Sequence, residues 1–224
     1  MDIPAETPKR RTFKGMAPED RQRERRERFM EAGFEAFGLR GYHSVTVREI
    51  CAEARLTERY FYESFKDREA LFSAIYERQV GVLRERIGAM LAQHGPDPRA
   101  MTRAALNEFF TVLRDDPRMT RVLFVDVLTI SPAVEKQSRG AIHGWGQMFE
   151  QVAQLMFPRI RDSGLDPTII ALGLVGACIN IAMSWVSGGF QEPVERVRDN
   201  CYAIFDGLIA AWANPVPVKL PPPK

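Results

Sequence analysis

The sequence predicts an all-α protein in two parts, a small N-terminal head of short helices followed by a larger helical body. Three observations predict it. Apolar residues recur at helical spacing along the chain, and no convincing strand run interrupts them. Proline and glycine punctuate the sequence at helix-length intervals, at Gly41, Gly95-Pro96, Pro117, Pro132, Pro158, Gly164, Pro167, Gly188-Gly189 and Pro193. Thr46, Thr57 and Asp67 are capping residues within about twenty residues of each other, which requires short helices meeting at steep angles rather than one rod.

The elements follow in order. Helices are expected over 18–39, 46–53, 57–63, 67–93, 98–114, 117–129, 133–157, 166–187 and 193–213. Thr46 followed by Glu49 reads as a capping box, in which hydroxyl and carboxylate satisfy each other's backbone donors. Val47, Ile50, Cys51 and Ala54 then give that helix one buried face. Thr57 starts the next helix, where Phe61 and Phe65 lie four apart and can pack onto the first. Asp67 caps a third, whose apolar stripe opens with Leu71, Phe72 and Ile75. In the last helix Val194, Val197, Cys201, Ile204, Phe205, Leu208 and Trp212 form one continuous stripe.

Two short helices joined by a tight turn are the layout of a helix-turn-helix, which places its second helix in the DNA major groove. On that helix Arg59 and Tyr60 are the candidates for base edges, since arginine bonds guanine bidentately. Glu58 and Glu63 disfavour phosphate and are expected to point outward.

The same residues carry a resemblance. Phe37 and Gly41-Tyr42, then T-V-x-x-I-C-x-x-A over Thr46 to Ala54, Leu56-Thr57, Tyr62 with Phe65, and Leu71 resemble the DNA-binding domain of TetR/AcrR-family transcriptional regulators. The likeness spans roughly residues 25 to 75. Arg55 stands where a turn glycine is usual, and Arg59 where a glycine often opens the recognition helix. A positive φ at Arg55 would cost about 1 kcal/mol. The resemblance implies that Thr57 and Tyr62 touch phosphates, with Arg68 and its neighbour Lys66. Thr46 and Arg48, at a helix start, are expected to touch the DNA backbone as well.

The resemblance also implies an inducer pocket in the body. Its candidates are Phe110, Trp145, Met148 and Asn180, with Asp126 able to face a cationic ligand or to pair with an arginine. Between Asp166 and Glu192 there is no charged residue, and the stretch has membrane-spanning length. Asn180, Ser184 and Ser187, an alanine- and glycine-diluted composition and the lack of a flanking basic cluster favour a soluble helix covered by a partner subunit. A homodimer through 166–187 and 193–213, where the resembled family dimerises, is therefore expected; a membrane anchor over 168–187 is the alternative.

Composition excludes some classes. The formal net charge is +2, but Lys9 to Arg28 holds nine basic and four acidic residues. A basic arm over 1–17 is expected to follow phosphates or enter the minor groove, or else to be a solvated tail. The three cysteines, odd in number and widely spaced, point to free thiols in a reducing cytoplasm. His43, His94 and His143 lack metal-ligand spacing, and no P-loop, G-x-S-x-G or C-x-x-C motif occurs, so neither enzyme nor cofactor is expected. The divisions expected are the arm 1–17, the helix-turn-helix 18–66, a ligand-binding and dimerisation domain 67–213, and a proline-rich tail 214–224. The reading is a ligand-responsive repressor that binds a palindromic operator on double-stranded DNA as a dimer.

Overall fold

In the computed structural model, which describes residues 17–213, helix α1 runs from Pro18 to Arg40. Proline at its first turn and acidic Glu19 and Asp20 suit a helix start, where one N–H is dispensable and the dipole favours negative charge. It stops at Gly41, whose φ of +84° a side chain would strain and whose N–H bonds to the Phe37 carbonyl at 2.8 Å. A 3-10 turn, Tyr42–Ser44, which sequence periodicity did not foretell, leads into α2 (Val47–Ala54). Then come α3 (Glu58–Ser64) and α4 (Arg68–Ala92). The expected arm 1–17, save Ala17, and the tail 214–224 lie outside the described residues.

The turn between α2 and α3 is made by Arg55 at φ 51°, ψ 44°, with Leu56 N–H bonding back to Cys51 at 2.9 Å. This left-handed C-cap closes the helix although no glycine is present. The head is then cemented by rings. Phe61 of α3 meets Phe29 of α1 edge-to-face at 5.4 Å, and Phe37 meets Phe72 of α4 at 5.6 Å. All four rings are fully buried.

The body is α4 together with α5 (Pro98–Asp115), α6 (Pro117–Thr120), α7 (Pro132–Met156), α8 (Pro167–Ser187) and α9 (Val194–Ala213). The single helix expected over 117–129 is broken. After α6 the chain takes a π-turn, Arg121–Val125, and then a 3-10 turn, Asp126–Leu128. α6 lies against α1 so closely that a Cβ on Gly38 would come within 2.3 Å of the Arg118 Cβ. Head and body are thus in direct backbone-level contact. Cys178 and Cys201 are free thiols whose sulfurs face each other at 3.6 Å between α8 and α9.

α8 is long and apolar enough to cross a membrane, with a mean hydropathy of 2.1. Its inner side belongs to the bundle: Ala171 and Ala182 are fully buried, and the buried Trp185 donates its indole N–H to the Glu192 carbonyl at 2.8 Å. Its outer side is bare. Ile169 is 68 % exposed, Ile204 on α9 is 47 % exposed, and the Cβ positions of Gly173, Gly176 and Gly207 meet no atom within 4 Å.

Candidate nucleic-acid interface and cavity

The exposed side of α3 carries Arg59, Tyr60, Tyr62 and Glu63, while Phe61 alone points inward. The Arg59 side chain is 85 % exposed, tethered only by its Nε–H to Glu63 Oε1 at 3.1 Å. Such an exposed i,i+4 pair is worth little, so the guanidinium is free to exchange it for a base edge. Tyr62 is 57 % exposed and rests edge-on against Phe61. Tyr60 is held under the Arg25 guanidinium, 4.5 Å above its ring. Thr57 precedes α3 without a side-chain capping bond, so the cap expected of its hydroxyl is not made and the group is left for another partner. Arg48 and Lys66 are exposed.

Two expected contacts are drawn into the scaffold. The Thr46 hydroxyl is committed to the capping box, donating to Glu49 Oε2 at 2.7 Å and accepting from Glu49 N–H at 3.3 Å. The Thr46 hydroxyl, and the Thr46 N–H that also donates to Glu49 Oε2 at 2.7 Å, hold the Glu49 carboxyl below the usual carboxylate range. The Arg68 guanidinium donates to the Val45 carbonyl and lies 4.2 Å over the Tyr42 ring, so it braces the entry to α2.

Two arginines of the basic run also serve the scaffold. Arg26 donates to the Ser64 carbonyl at 2.8 Å, and Arg28 to the Ala54 carbonyl at 2.5 Å. Both meet the last carbonyls of a short helix, the groups a helix end leaves without partners. These α1 arginines hold α2 and α3 from behind; the long sequence separation hid the role.

Asp126 forms a latch between head and body. It is only 7 % exposed, and its Oδ2 accepts the Tyr42 N–H at 2.8 Å. Burial pushes its carboxyl above the usual range, while that hydrogen bond and the charges of Arg121 and His43 pull it back. Nearby, the Thr129 hydroxyl and His43 Nε2 are 3.3 Å apart. Asp126 therefore faces the head, with Arg121 beside it, and is absent from the cavity wall. Asp126→Ala should destabilise the fold by about 1–3 kcal/mol, because it leaves a buried N–H without an acceptor. Asp126→Asn keeps an acceptor and should cost less; urea unfolding compares them. The folded chain binds the Asp126 proton more readily than the unfolded chain. Stability from this group therefore falls as pH rises from the ordinary carboxylate value through the raised one, and Asp126→Asn removes that slope.

Within the body lies a cavity of about 190 Å³ bounded by α4, α5, the π-turn, α7, α8 and α9. It is larger than the roughly 150 Å³ apolar cavity known to hold benzene. Its wall follows α4 from Tyr76 to Leu91, roughly 22 Å at about 1.5 Å per residue, so it is long and narrow. Among the described residues, no charged side chain lines it. Trp145 and Met148 line it as expected. Phe110 does not: it is fully buried against Phe109 and Trp185, and Phe109 takes the place on the wall. Asn180 is exposed on the outer side of α8, one residue beyond the lining Ile179. Leu123 and Phe124 of the π-turn, and Trp212 of α9, also reach the wall. The Trp212 indole N–H is buried without a partner.

A recognition helix seated on a closed aromatic core, with its arginine and tyrosine left bare, defines a helix-turn-helix DNA-binding protein, here joined to a body with an internal apolar cavity. Residues 29–75 match the family described as bacterial regulatory proteins, tetR family. The HTH-type transcriptional activator FasR of Mycolicibacterium smegmatis is 29 % identical over 177 residues, covering 77 % of this chain and 76 % of that protein. The uncharacterized HTH-type transcriptional regulator YdgC of Bacillus subtilis is 22 % identical over 189 residues, covering 83 % of this chain and 93 % of its own. Among solved structures, the fatty acid degradation regulator FadR from Bacillus halodurans superposes with a TM-score of 0.71 at 14 % identity, over 85 % of this chain and 96 % of its own. FadR from Bacillus subtilis, in complex with stearoyl-CoA, superposes with a TM-score of 0.69 at 14 % identity, over 85 % and 98 %. The chain thus resembles TetR-family transcriptional regulators, through the family match of its head and through relatives that cover most of its length. The membrane-anchor alternative is not favoured.

Proposed function

We propose that the protein is a homodimeric, ligand-responsive regulator that reads a palindromic operator with α3 and is released or engaged by an apolar-chain ligand. The observation that carries the DNA reading is the bare Arg59 and Tyr62 on a helix whose other side is locked by Phe61. Arg59 and Tyr60 read base edges; Arg48, Thr57, Tyr62 and Lys66 meet phosphates, while Thr46 and Arg68 shape the scaffold that presents them. The uncovered apolar face of α8 and α9, with glycines that let backbones approach, supports a dimer through these helices. Two heads would then meet half-sites about 34–36 Å apart or a multiple of it. The chain acts by binding and not by catalysis, in the cytoplasm.

The long apolar cavity supports an alkyl chain as ligand. The stearoyl-CoA held by a similar fold is in keeping with this. Leu123 and Phe124 touch the cavity, and two residues later Asp126 grips the head at Tyr42. A chain pressing on the π-turn thus shifts the latch; full switching needs about 5.5 kcal/mol of differential affinity. The test combines sedimentation of the protein with recovery of genomic fragments that it retains. A dimer that selects palindromic fragments supports the reading; a monomer, or no retention at low salt, overturns it.

A further inference from the structure

We propose that Arg84 is the anion-recognising residue of the cavity, holding the carboxylate or phosphate head of an amphiphile whose chain lies inside; this rests on the apolar-chain reading above. Arg84 springs from α4 and crosses to α7, where its Nη2 comes 3.0 Å from the Cβ position of Gly144. A Cβ there would crowd the guanidinium, which would have to move by a few tenths of an ångström. Its guanidinium carbon lies 5.6 Å from the centre of the half-buried Trp145 ring, which is part of the cavity wall. Arg84 therefore sits where the wall meets solvent.

Its neighbours are occupied. Arg78 pairs with Glu27, Arg86 with Glu108 and Arg139 with Glu135. At the far end of the cavity Arg99 pairs with Asp206, and Arg103 stacks 3.7 Å over Tyr202. Among the described residues, Arg84 makes no ion pair; it lies against Gly144 and over an aromatic face. A charged head cannot enter a wall without charged or strongly polar partners, because the desolvation is too costly. It must stop at the rim, and the cation waiting there is Arg84. A guanidinium with five donors in a planar fork suits both carboxylate and phosphate oxygens.

The test measures binding of three probes by quenching of intrinsic tryptophan fluorescence: laurate, methyl laurate and lauroyl-CoA, each below its micelle-forming concentration. The native protein should bind an anionic probe about tenfold more tightly than the neutral ester. Arg84→Gln, an exposed change checked by an unaltered melting temperature, should bring the anionic probe down to the ester's affinity. A loss confined to laurate names a carboxylate head, and one confined to lauroyl-CoA a phosphate; either supports the inference. Equal affinities in the native protein, or a preference that survives Arg84→Gln, would overturn it. If the ester itself fails to bind, the apolar-chain reading falls, and this inference with it.

Discussion

Phe61→Ala should lower the stability of the fold by about 3–5 kcal/mol, the range for truncating a fully buried phenylalanine. Phe61 is the keystone of the head. It is fully buried, meets Phe29 edge-to-face at 5.4 Å, and touches Tyr62 and Phe65 on its own flank at 5.4 and 5.9 Å. α3 is only seven residues long, so it has no stability of its own outside this contact. A loss of this size is a large share of the 5–15 kcal/mol that holds a typical domain. Urea unfolding gives the number. Amide exchange should show the loss concentrated in α2 and α3, with the far end of the body less affected. A shift below about 1 kcal/mol would mean that α3 is held by something other than this ring.

Arg59→Ala should cost about 1–3 kcal/mol for each half-site whose guanine it contacts, and a dimer on a palindrome loses that twice. Specific affinity should therefore fall roughly thirtyfold or more, while affinity for random DNA changes little. Arg59 is exposed and bonded only to Glu63, so its removal leaves the head folded. The comparison is a titration of both variants against operator and random duplex at the same salt. Equal losses on the two would place Arg59 on phosphate and not on a base.

Much of the head was legible in the sequence because its signals are local. The Thr46–Glu49 box, the Asp67 cap and the Gly41 stop each act within a few residues, and the structure realises all three. Arg55 takes the left-handed turn that its place in the pattern demanded. What the sequence hid depends on distant partners or on helical phase. The latch joins Tyr42 to Asp126, 84 residues apart, and no periodicity announces such a pair. The α1 arginines look like a DNA-tracking run until their carbonyl acceptors are known. Phe109 rather than Phe110 and Ile179 rather than Asn180 line the cavity, since one residue turns a helix by about 100°. The π-turn at Arg121–Val125 shifts the phase again, and an unbroken 3.6-residue count through 117–129 could not show it.

The outer face of α3 is expected to read DNA as one of a symmetric pair. The direct measurement is hydroxyl-radical footprinting of the protein on a genomic fragment that it retains. It should show two protected patches related by a dyad, about 34–36 Å or a multiple apart, both lost with Arg59→Ala. A single patch without symmetry, or protection that Arg59→Ala leaves intact, would contradict it.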